Sequence, residues 1–179
     1  MERSLLVALS AMLLASSAAW AGQFEDGVAA MDRGDYVKAA TVFQTLATEG
    51  NAQAQYNLGL MTEKGRGVPR DYVGAVSLYQ LAAAQGKAEA QRNLGIMYRD
   101  GLGVPKDPVR AYMWLNLGAA ESAANAADYR DAIAKTMKPE QIALAQKLGN
   151  ECKQRGLKGC DSPQGARAAG SATATPEAQ

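Results

Sequence analysis

One pattern of apolar positions occurs twice in the chain. Ala54, Leu58 and Met61 follow each other at steps of four and three residues, and the same pattern recurs 36 positions later. Steps of three and four residues place side chains on one face of a helix, so the spacing predicts two amphipathic helices. We expect the first to span roughly residues 52 to 64 and the second roughly residues 88 to 100.

The whole segment around this pattern is duplicated. When residues 51–86 are aligned with residues 87–122, 17 of the 36 positions are identical. Each copy contains a glycine-rich loop ending in Val-Pro, at residues 65–69 and 101–105. Glycine permits left-handed backbone and proline cannot continue a helix, so this loop is predicted to separate two helices in each copy. Repeats of this length are typical of stacked helix pairs.

Polar and small residues mark the boundaries and the packing of these helices. Asp71 and Asp107 follow the loops and are predicted N-caps, with Pro108 in the first position of the later helix. Gly59 and Gly95 lie beside the apolar stripe, where glycine costs about 1 kcal/mol relative to alanine. Their recurrence predicts that a neighbouring helix passes too close for a side chain.

An eroded third copy precedes the two clear ones. Residues 35–39 reproduce the start of the second helix at residues 71–75 in four of five positions. A short turn at residues 33–35 replaces the long glycine loop. Residues 22–50 are therefore interpreted as an atypical terminal repeat, followed by full repeats at residues 51–86 and 87–122.

Composition favours an all-α protein and removes several catalytic classes. The 179 residues include two Phe, two Trp and no His. Without His, Ser-His triads, His-based acid–base catalysis and imidazole metal sites are excluded. The formal net charge of +1 gives no indication of a nucleic-acid partner. We therefore expect no catalytic residue, no metal site and no cofactor.

The first 21 residues have the features of a cleavable signal peptide. Arg3 precedes an apolar stretch from Leu5 to Ala15, and Ala19-Trp20-Ala21 has the small-x-small form of a cleavage site. The apolar stretch is shorter than the roughly 20 residues that span a bilayer. We expect cleavage after Ala21, a periplasmic or secreted bacterial product, and no stable membrane insertion afterwards. An uncleaved membrane anchor is the alternative.

Cys152 and Cys160 are the two cysteines of the chain. In an oxidising compartment, two thiols at this spacing predict a disulfide that closes a small loop. A metal site needs more ligands than two thiols, and a redox pair typically has Cys-x-x-Cys spacing. Both of these are weaker alternatives to a structural disulfide.

Taken in order, these features resemble the Sel-one-like repeat family, which is related to the tetratricopeptide repeats. The resemblance covers about residues 24–122 and rests on Ala-x-Ala, Leu-Gly, Gly-x-Gly-Val and the following Asp in both full copies. Thr62 and Leu78 depart from the Tyr and Trp of the family, which Tyr98 and Trp114 keep. The resemblance implies an all-α fold, a right-handed α-solenoid of stacked helix-turn-helix repeats.

The same resemblance interprets the end of the chain. Residues 123–160 resemble the C-terminal capping helices of exported members, with Lys138 at the position where such members usually have a capping Thr or Ser. From about Asp161 to residue 179 the chain is rich in Gly, Ala, Ser, Thr and Pro without an apolar period. This composition predicts a disordered tail at residues 161–179.

The resemblance implies a non-catalytic adaptor that binds a protein or peptide in the bacterial cell envelope. The candidate contacts are polar residues of the first helices that we expect to be exposed, namely Gln55, Asn57, Gln91, Arg92 and Asn93. Asn57 and Asn93 occupy the same repeat position, and an amide there suits a ligand backbone. The alternative is that these amides satisfy loop backbone within the solenoid. Most of the Tyr and Trp residues are interpreted as core because of their helical spacing.

Two other functions remain open from the sequence. A cell-wall-associated enzyme with penicillin-binding-like activity has little support, because Ser-x-x-Lys, Gly-x-Ser-x-Gly and His-Glu-x-x-His motifs are absent. A structural subunit that self-associates through the ends of the solenoid is the other alternative. A monomer is favoured over an oligomer.

Overall fold

The computed structural model of the protein describes residues 22–161. The predicted signal peptide and its cleavage site at Ala21 lie outside the described residues, as does the predicted tail from residue 162 onward. The described chain contains eight helices: α1 at residues 22–32, α2 at Tyr36–Thr48, α3 at Ala52–Lys64, α4 at Tyr72–Ala83, α5 at Ala88–Asp100, α6 at Pro108–Ala120, α7 at Ala126–Ala134 and α8 at Pro139–Gln154. Within this range the chain forms no strand.

The helix boundaries follow the punctuation in the sequence. Helices α3 and α5 have the predicted bounds, and each ends at a left-handed glycine, Gly65 with φ 68° and Gly101 with φ 75°. The Asp71 carboxylate accepts from the backbone N–H of Val73, and Asp107 accepts from two N–H groups at the start of α6. Both predicted N-caps are therefore confirmed, and Pro108 occupies the first turn of α6.

The glycine-rich loop of each full repeat packs on the preceding repeat. A Cβ atom added to Gly67 would collide with the backbone carbonyl of Tyr36, and one added to Gly103 would collide with that of Tyr72. Tyr36 and Tyr72 are the first residues of α2 and α4. The second glycine of each loop thus permits backbone to approach backbone between neighbouring repeats, which sets their spacing.

Glycines within the first helices allow close packing inside each repeat. A Cβ atom at Gly59 would lie 2.7 Å from Cε1 of Tyr79, and one at Gly95 would lie 2.5 Å from Cγ of Leu115. The second helix of each hairpin therefore passes too close for any side chain on the first, as predicted.

Buried side chains form two apolar clusters. The N-terminal cluster joins α1, α2 and α3 around Phe43, Leu46 and Leu58. The C-terminal cluster extends from α4 to α8 around Leu94 and Trp114. The core assignment is confirmed for Tyr79, Tyr98, Tyr112 and Trp114, which are buried, whereas Tyr36 and Tyr72 are half-buried.

The last two helices close the C-terminal cluster. Both α7 and α8 pack against α6. Lys138 provides no side-chain cap to α8, as expected, although Oε1 of Gln141 accepts from the Lys138 backbone N–H at 2.9 Å. After α8 the chain turns back, and Cys152 forms the predicted disulfide with Cys160 at a Cα–Cα distance of 5.3 Å.

The predicted tail begins at Asp161, which is the last residue that the structure describes. Asp161 accepts hydrogen bonds from Nε1 of Trp114 at 2.8 Å and from Nε2 of Gln80 at 2.9 Å. The disulfide one residue earlier brings the backbone to the surface of α4 and α6, where these two donors are available. These two contacts hold the Asp161 side chain against α4 and α6.

Candidate partner-binding surface

The five predicted contact residues do not form one exposed surface. Gln55, Gln91 and Asn93 are 4%, 1% and 8% exposed, so the expectation that they face solvent was wrong. Asn57 and Arg92 are half-buried and keep part of their surface accessible. Polarity did not indicate exposure here, because each of the three buried side chains has a polar partner inside the protein.

The two glutamines connect each first helix to the turn before it. Nε2 of Gln55 donates to the carbonyl of Ala47 at 3.1 Å, and Nε2 of Gln91 donates to that of Ala83 at 3.3 Å. Oε1 of Gln55 also accepts from Nε2 of Gln85 at 2.8 Å. These contacts assign Gln55 and Gln91 a structural role in joining consecutive repeats.

Gln91 lacks the second bond that Gln55 makes. Its buried Oε1 has no hydrogen-bond partner among the described residues. The position that Gln85 holds in one repeat is occupied by Glu121 in the next. An ionised carboxylate has no hydrogen to donate, so the sequence difference explains the unpaired oxygen.

The recurring asparagines have different surroundings. Oδ1 of Asn93 accepts from Nε and Nη2 of Arg92 at 3.1 and 3.0 Å, and the side chain lies next to the Tyr79 hydroxyl. In the preceding repeat the position of Tyr79 is taken by Phe43, which has no hydroxyl. Nδ2 of Asn57 donates only one turn back, to the carbonyl of Gln53 at 3.0 Å. Asn93 is therefore bonded inside the protein, although to side chains and not to the loop backbone of the alternative interpretation, while Asn57 stays at the surface.

A buried tyrosine and a carboxylate join α3 to α4 next to Asn93. The Tyr79 hydroxyl donates to Oε2 of Glu63 at 2.5 Å. Burial raises the pKa of Tyr79, and the adjacent Glu63 carboxylate raises it further. The sequence did not single out Glu63 as a partner of Tyr79. The missed signal is the hydroxyl of Tyr79 at a position where the neighbouring repeats have Phe43 and Leu115.

Asn57 lies in a shallow groove between the first and second hairpins, which we call the Asn57 groove. The groove holds about 130 Å³ and combines apolar side chains with two cations. Its lining residues are Met31, Tyr36, Asn57, Leu60, Met61, Lys64 and Arg66. The Arg66 guanidinium lies 5.5 Å from the centre of the Tyr36 ring, which fixes one positive charge at the rim. An apolar floor beside fixed positive charge suits a segment that carries apolar and acidic side chains.

Neither a metal-binding group of side chains nor a membrane-crossing helix occurs among the described residues. Between residues 22 and 161, His, Cys, Asp and Glu side chains form no group of three or more that suits a metal ion. In the same range, no helix has the length and apolar character needed to cross a membrane.

Stacked helical hairpins of this kind define an α-solenoid of helical repeats. The chain contains two consecutive Sel1 repeats, because the family model of the Sel1 repeat matches residues 52–87 and 88–122. The resemblance seen in the sequence is thereby confirmed for α3 to α6. The first hairpin and the last lie outside the two matches.

Two solved structures are similar to the chain. A protective antigen of uropathogenic Escherichia coli with the SLR fold superimposes with a TM-score of 0.71, at 26% identity over 89% of this chain and 34% of that one. A Sel1 repeat protein from Oxalobacter formigenes gives a TM-score of 0.55 at 34% identity, over 58% of this chain and 41% of that one. The likeness to the antigen extends beyond the two matched repeats to most of the chain.

Among curated proteins, the chain is similar to DAP3-binding cell death enhancer 1 of rat and mouse. Each is 54% identical over 37 residues, which is 21% of this chain and 7% of the relative. A match of this length corresponds to about one repeat. The chain thus spans only a small part of these relatives, and less than half of either solved structure.

Proposed function

We propose that this protein is a non-catalytic adaptor that binds a protein or peptide segment in the Asn57 groove. Sel1 repeats are generally protein–protein interaction modules, and two of them make up the centre of the chain. The observation that carries the proposal is the groove itself, in which apolar side chains adjoin Asn57, Lys64 and Arg66. Lys64 and Arg66 are exposed, so both cations are free to meet an acidic partner.

The buried amides fall outside the proposed contact surface. Gln55, Gln91 and Asn93 act within the solenoid, so we retain Asn57 and Arg92 from the predicted contacts. Arg92 lies in the next repeat, where Nη1 donates to the carbonyl of Ala124 at 3.2 Å. A partner that binds in the Asn57 groove and extends along the first helices into the next repeat would also contact Arg92.

Site-specific photo-crosslinking tests the groove as a contact surface. A photoreactive residue at position 57 of the full chain is expected to crosslink one reproducible protein, whereas the same residue at exposed position 77 on α4 is not. Lys64→Glu with Arg66→Glu should remove the crosslink at position 57 while leaving the helical circular dichroism unchanged. Equal crosslinking at positions 57 and 77, or none at either, would contradict the proposal.

A comparison of the two asparagines separates binding from folding. Asn57→Ala is expected to weaken partner binding with little change in stability, because Asn57 bonds only within its own helix. Asn93→Ala removes the acceptor of the half-buried Arg92 guanidinium and should lower the free energy of unfolding by about 1–3 kcal/mol. Loss of stability in Asn57→Ala would make that residue structural as well.

We propose further that the adaptor works in the bacterial cell envelope as a monomer. The predicted signal peptide supports this location, and the Cys152–Cys160 disulfide suits an oxidising compartment. N-terminal sequencing of protein from the periplasm should begin at Gly22, and light scattering should give the mass of one chain. A cytoplasmic product that retains Met1 would overturn the location without affecting the groove.

A further inference from the structure

Three donors converge on the carboxylate of Asp161. Nε1 of Trp114 lies 2.8 Å from one carboxylate oxygen and Nε2 of Gln80 lies 2.9 Å from the other. The Tyr98 hydroxyl faces the same carboxylate: burial raises the pKa of Tyr98, and the charge and hydrogen bonding of Asp161 raise it further. The donors come from α6, α4 and α5, so three helices build one site for one anionic group.

Two of the three donors are fixed by packing in the apolar core. Trp114 is 2% exposed and Tyr98 is 6% exposed, and both belong to the C-terminal apolar cluster. Each of the three donors is uncharged. Arg110, the nearby cation, pairs with Asp107 at 2.6 Å. A carboxylate is the common protein group with enough acceptor positions for three donors at once.

The segment that brings Asp161 to this site has a second anchor. Leu157 and Cys160 pack against the C-terminal apolar cluster, and the backbone N–H of Leu157 donates to the carbonyl of Cys152 at 2.9 Å. The disulfide then ties Cys160 back to α8. Residues 157–161, which we call the closing segment, therefore dock through one apolar side chain and one carboxylate.

The docked segment does not fill the space around the site. An open cavity of about 320 Å³ lies beside Asp161, lined by Gln80, Ala84 and Trp114 on the solenoid side and by Leu157, Gly159 and Cys160 of the closing segment. The described residues thus leave part of the surface of α4 and α6 beside the carboxylate uncovered.

We propose that Gln80, Tyr98 and Trp114 form a binding site for a peptide segment of a partner protein that presents an Asp or Glu side chain, and that the closing segment occupies this site in cis. A partner segment with an apolar side chain followed by an Asp or Glu offers the same two anchors. Exchange of one carboxylate for another preserves the hydrogen bonds from Trp114 and Gln80 and the contact with the Tyr98 hydroxyl. The tether keeps the closing segment at a high effective concentration, so a partner must compete with it.

A peptide added in trans tests the site. The peptide carries residues 155–161 with serine in place of Cys160, and the probe is the ¹⁵N indole resonance of Trp114 in the full chain, simplified by Trp20→Phe. Asp161→Ala should vacate the site, so the peptide should shift this resonance in that variant. In the unaltered chain, the closing segment competes with the peptide for the site. The peptide concentration needed to shift the Trp114 resonance should therefore be at least about tenfold higher than in Asp161→Ala.

The controls separate binding from a purely structural role for Asp161. A peptide with Asp161→Asn lacks the charge and should bind Asp161→Ala protein much more weakly. If the Asp161→Ala protein fails to fold, the Asp161→Asn protein replaces it, because Asn keeps one accepting oxygen. This variant is also expected to respond to the peptide at a lower concentration than the unaltered chain. A folded variant whose Trp114 indole resonance does not respond to the peptide that carries Asp161 would overturn the proposal, as would equal binding by the unaltered chain.

Discussion

At the scale of single residues, the buried glutamines Gln55 and Gln91 occupy the same repeat position but differ in their hydrogen bonds. Gln55 uses both ends of its amide, because Gln85 donates to its oxygen, whereas the oxygen of Gln91 has no such partner among the described residues. An unpaired buried polar atom costs about 1–3 kcal/mol. The difference lies in a single residue, Glu121, at the position of Gln85.

Replacing this residue should restore the missing hydrogen bond. Residue 121 is equivalent to Gln85, which donates to Gln55. Glu121→Gln therefore places an amide donor where it can reach the oxygen of Gln91. We expect the free energy of unfolding in urea to rise by about 1 kcal/mol. The matched control is Gln85→Glu, which removes the corresponding donor and should lower the free energy by a similar amount. Equal and small effects of both changes would contradict the argument from repeat equivalence.

Two helix-interior glycines should respond to alanine with opposite signs. A Cβ atom at Gly95 would lie 2.5 Å from Cγ of Leu115 and 3.0 Å from the carbonyl oxygen of Ala111, so Gly95→Ala should destabilise the protein by about 1–3 kcal/mol. At Gly149 the nearest atom would be Cγ of Met113 at 3.6 Å, an ordinary contact. Gly149→Ala should therefore stabilise α8 by about 0.5–1 kcal/mol. Thermal or urea unfolding of both variants measures the difference, and a stabilising Gly95→Ala would contradict it.

At the scale of elements, helix boundaries were predictable from the sequence and side-chain exposure was not. The bounds of α3 and α5 follow from local chemistry, since Gly65 and Gly101 end the helices in left-handed backbone. Exposure depends on what other repeats place opposite a residue. Asn57 and Asn93 share a repeat position, yet only Asn93 faces a tyrosine hydroxyl. The return of the chain to bring Asp161 to Trp114 is a long-range contact that no local pattern indicates.

The contact between a glycine loop and the preceding helix predicts an unusually costly substitution. Gly86 and Gly103 both have positive φ, 84° and 70°, so alanine incurs backbone strain of about 1–2 kcal/mol at either position. A Cβ atom at Gly86 meets no atom within 4 Å, whereas one at Gly103 collides with the backbone carbonyl of Tyr72. Gly103→Ala should therefore destabilise the protein well beyond Gly86→Ala. Unfolding in urea compares them, and similar losses would show that the loop does not set the repeat spacing.

At the scale of the whole molecule, the two apolar clusters differ in size, and polar contacts connect them. The C-terminal cluster contains 18 buried residues and includes the disulfide cysteine Cys152, while the N-terminal cluster contains nine. Polar contacts join α3 to α4 and to the turn after α4 where the clusters meet, namely Glu63 with Tyr79 and Gln55 with Gln85. A solenoid has mainly neighbour-to-neighbour interfaces, so a weaker end is able to open while the rest stays folded.

Native-state hydrogen exchange should resolve these two units. Amides of α2 should exchange through an opening of lower free energy than those of α5 and α6, because fewer buried residues hold the N-terminal hairpin. Phe43→Ala removes a fully buried ring from the N-terminal cluster and should lower protection in α1 and α2 while leaving α5 and α6 nearly unchanged. Leu94→Ala, in the C-terminal cluster, should lower protection in α4 to α8. If each substitution lowers protection equally throughout residues 22–161, the solenoid opens as one cooperative unit and the division into two clusters has no energetic meaning.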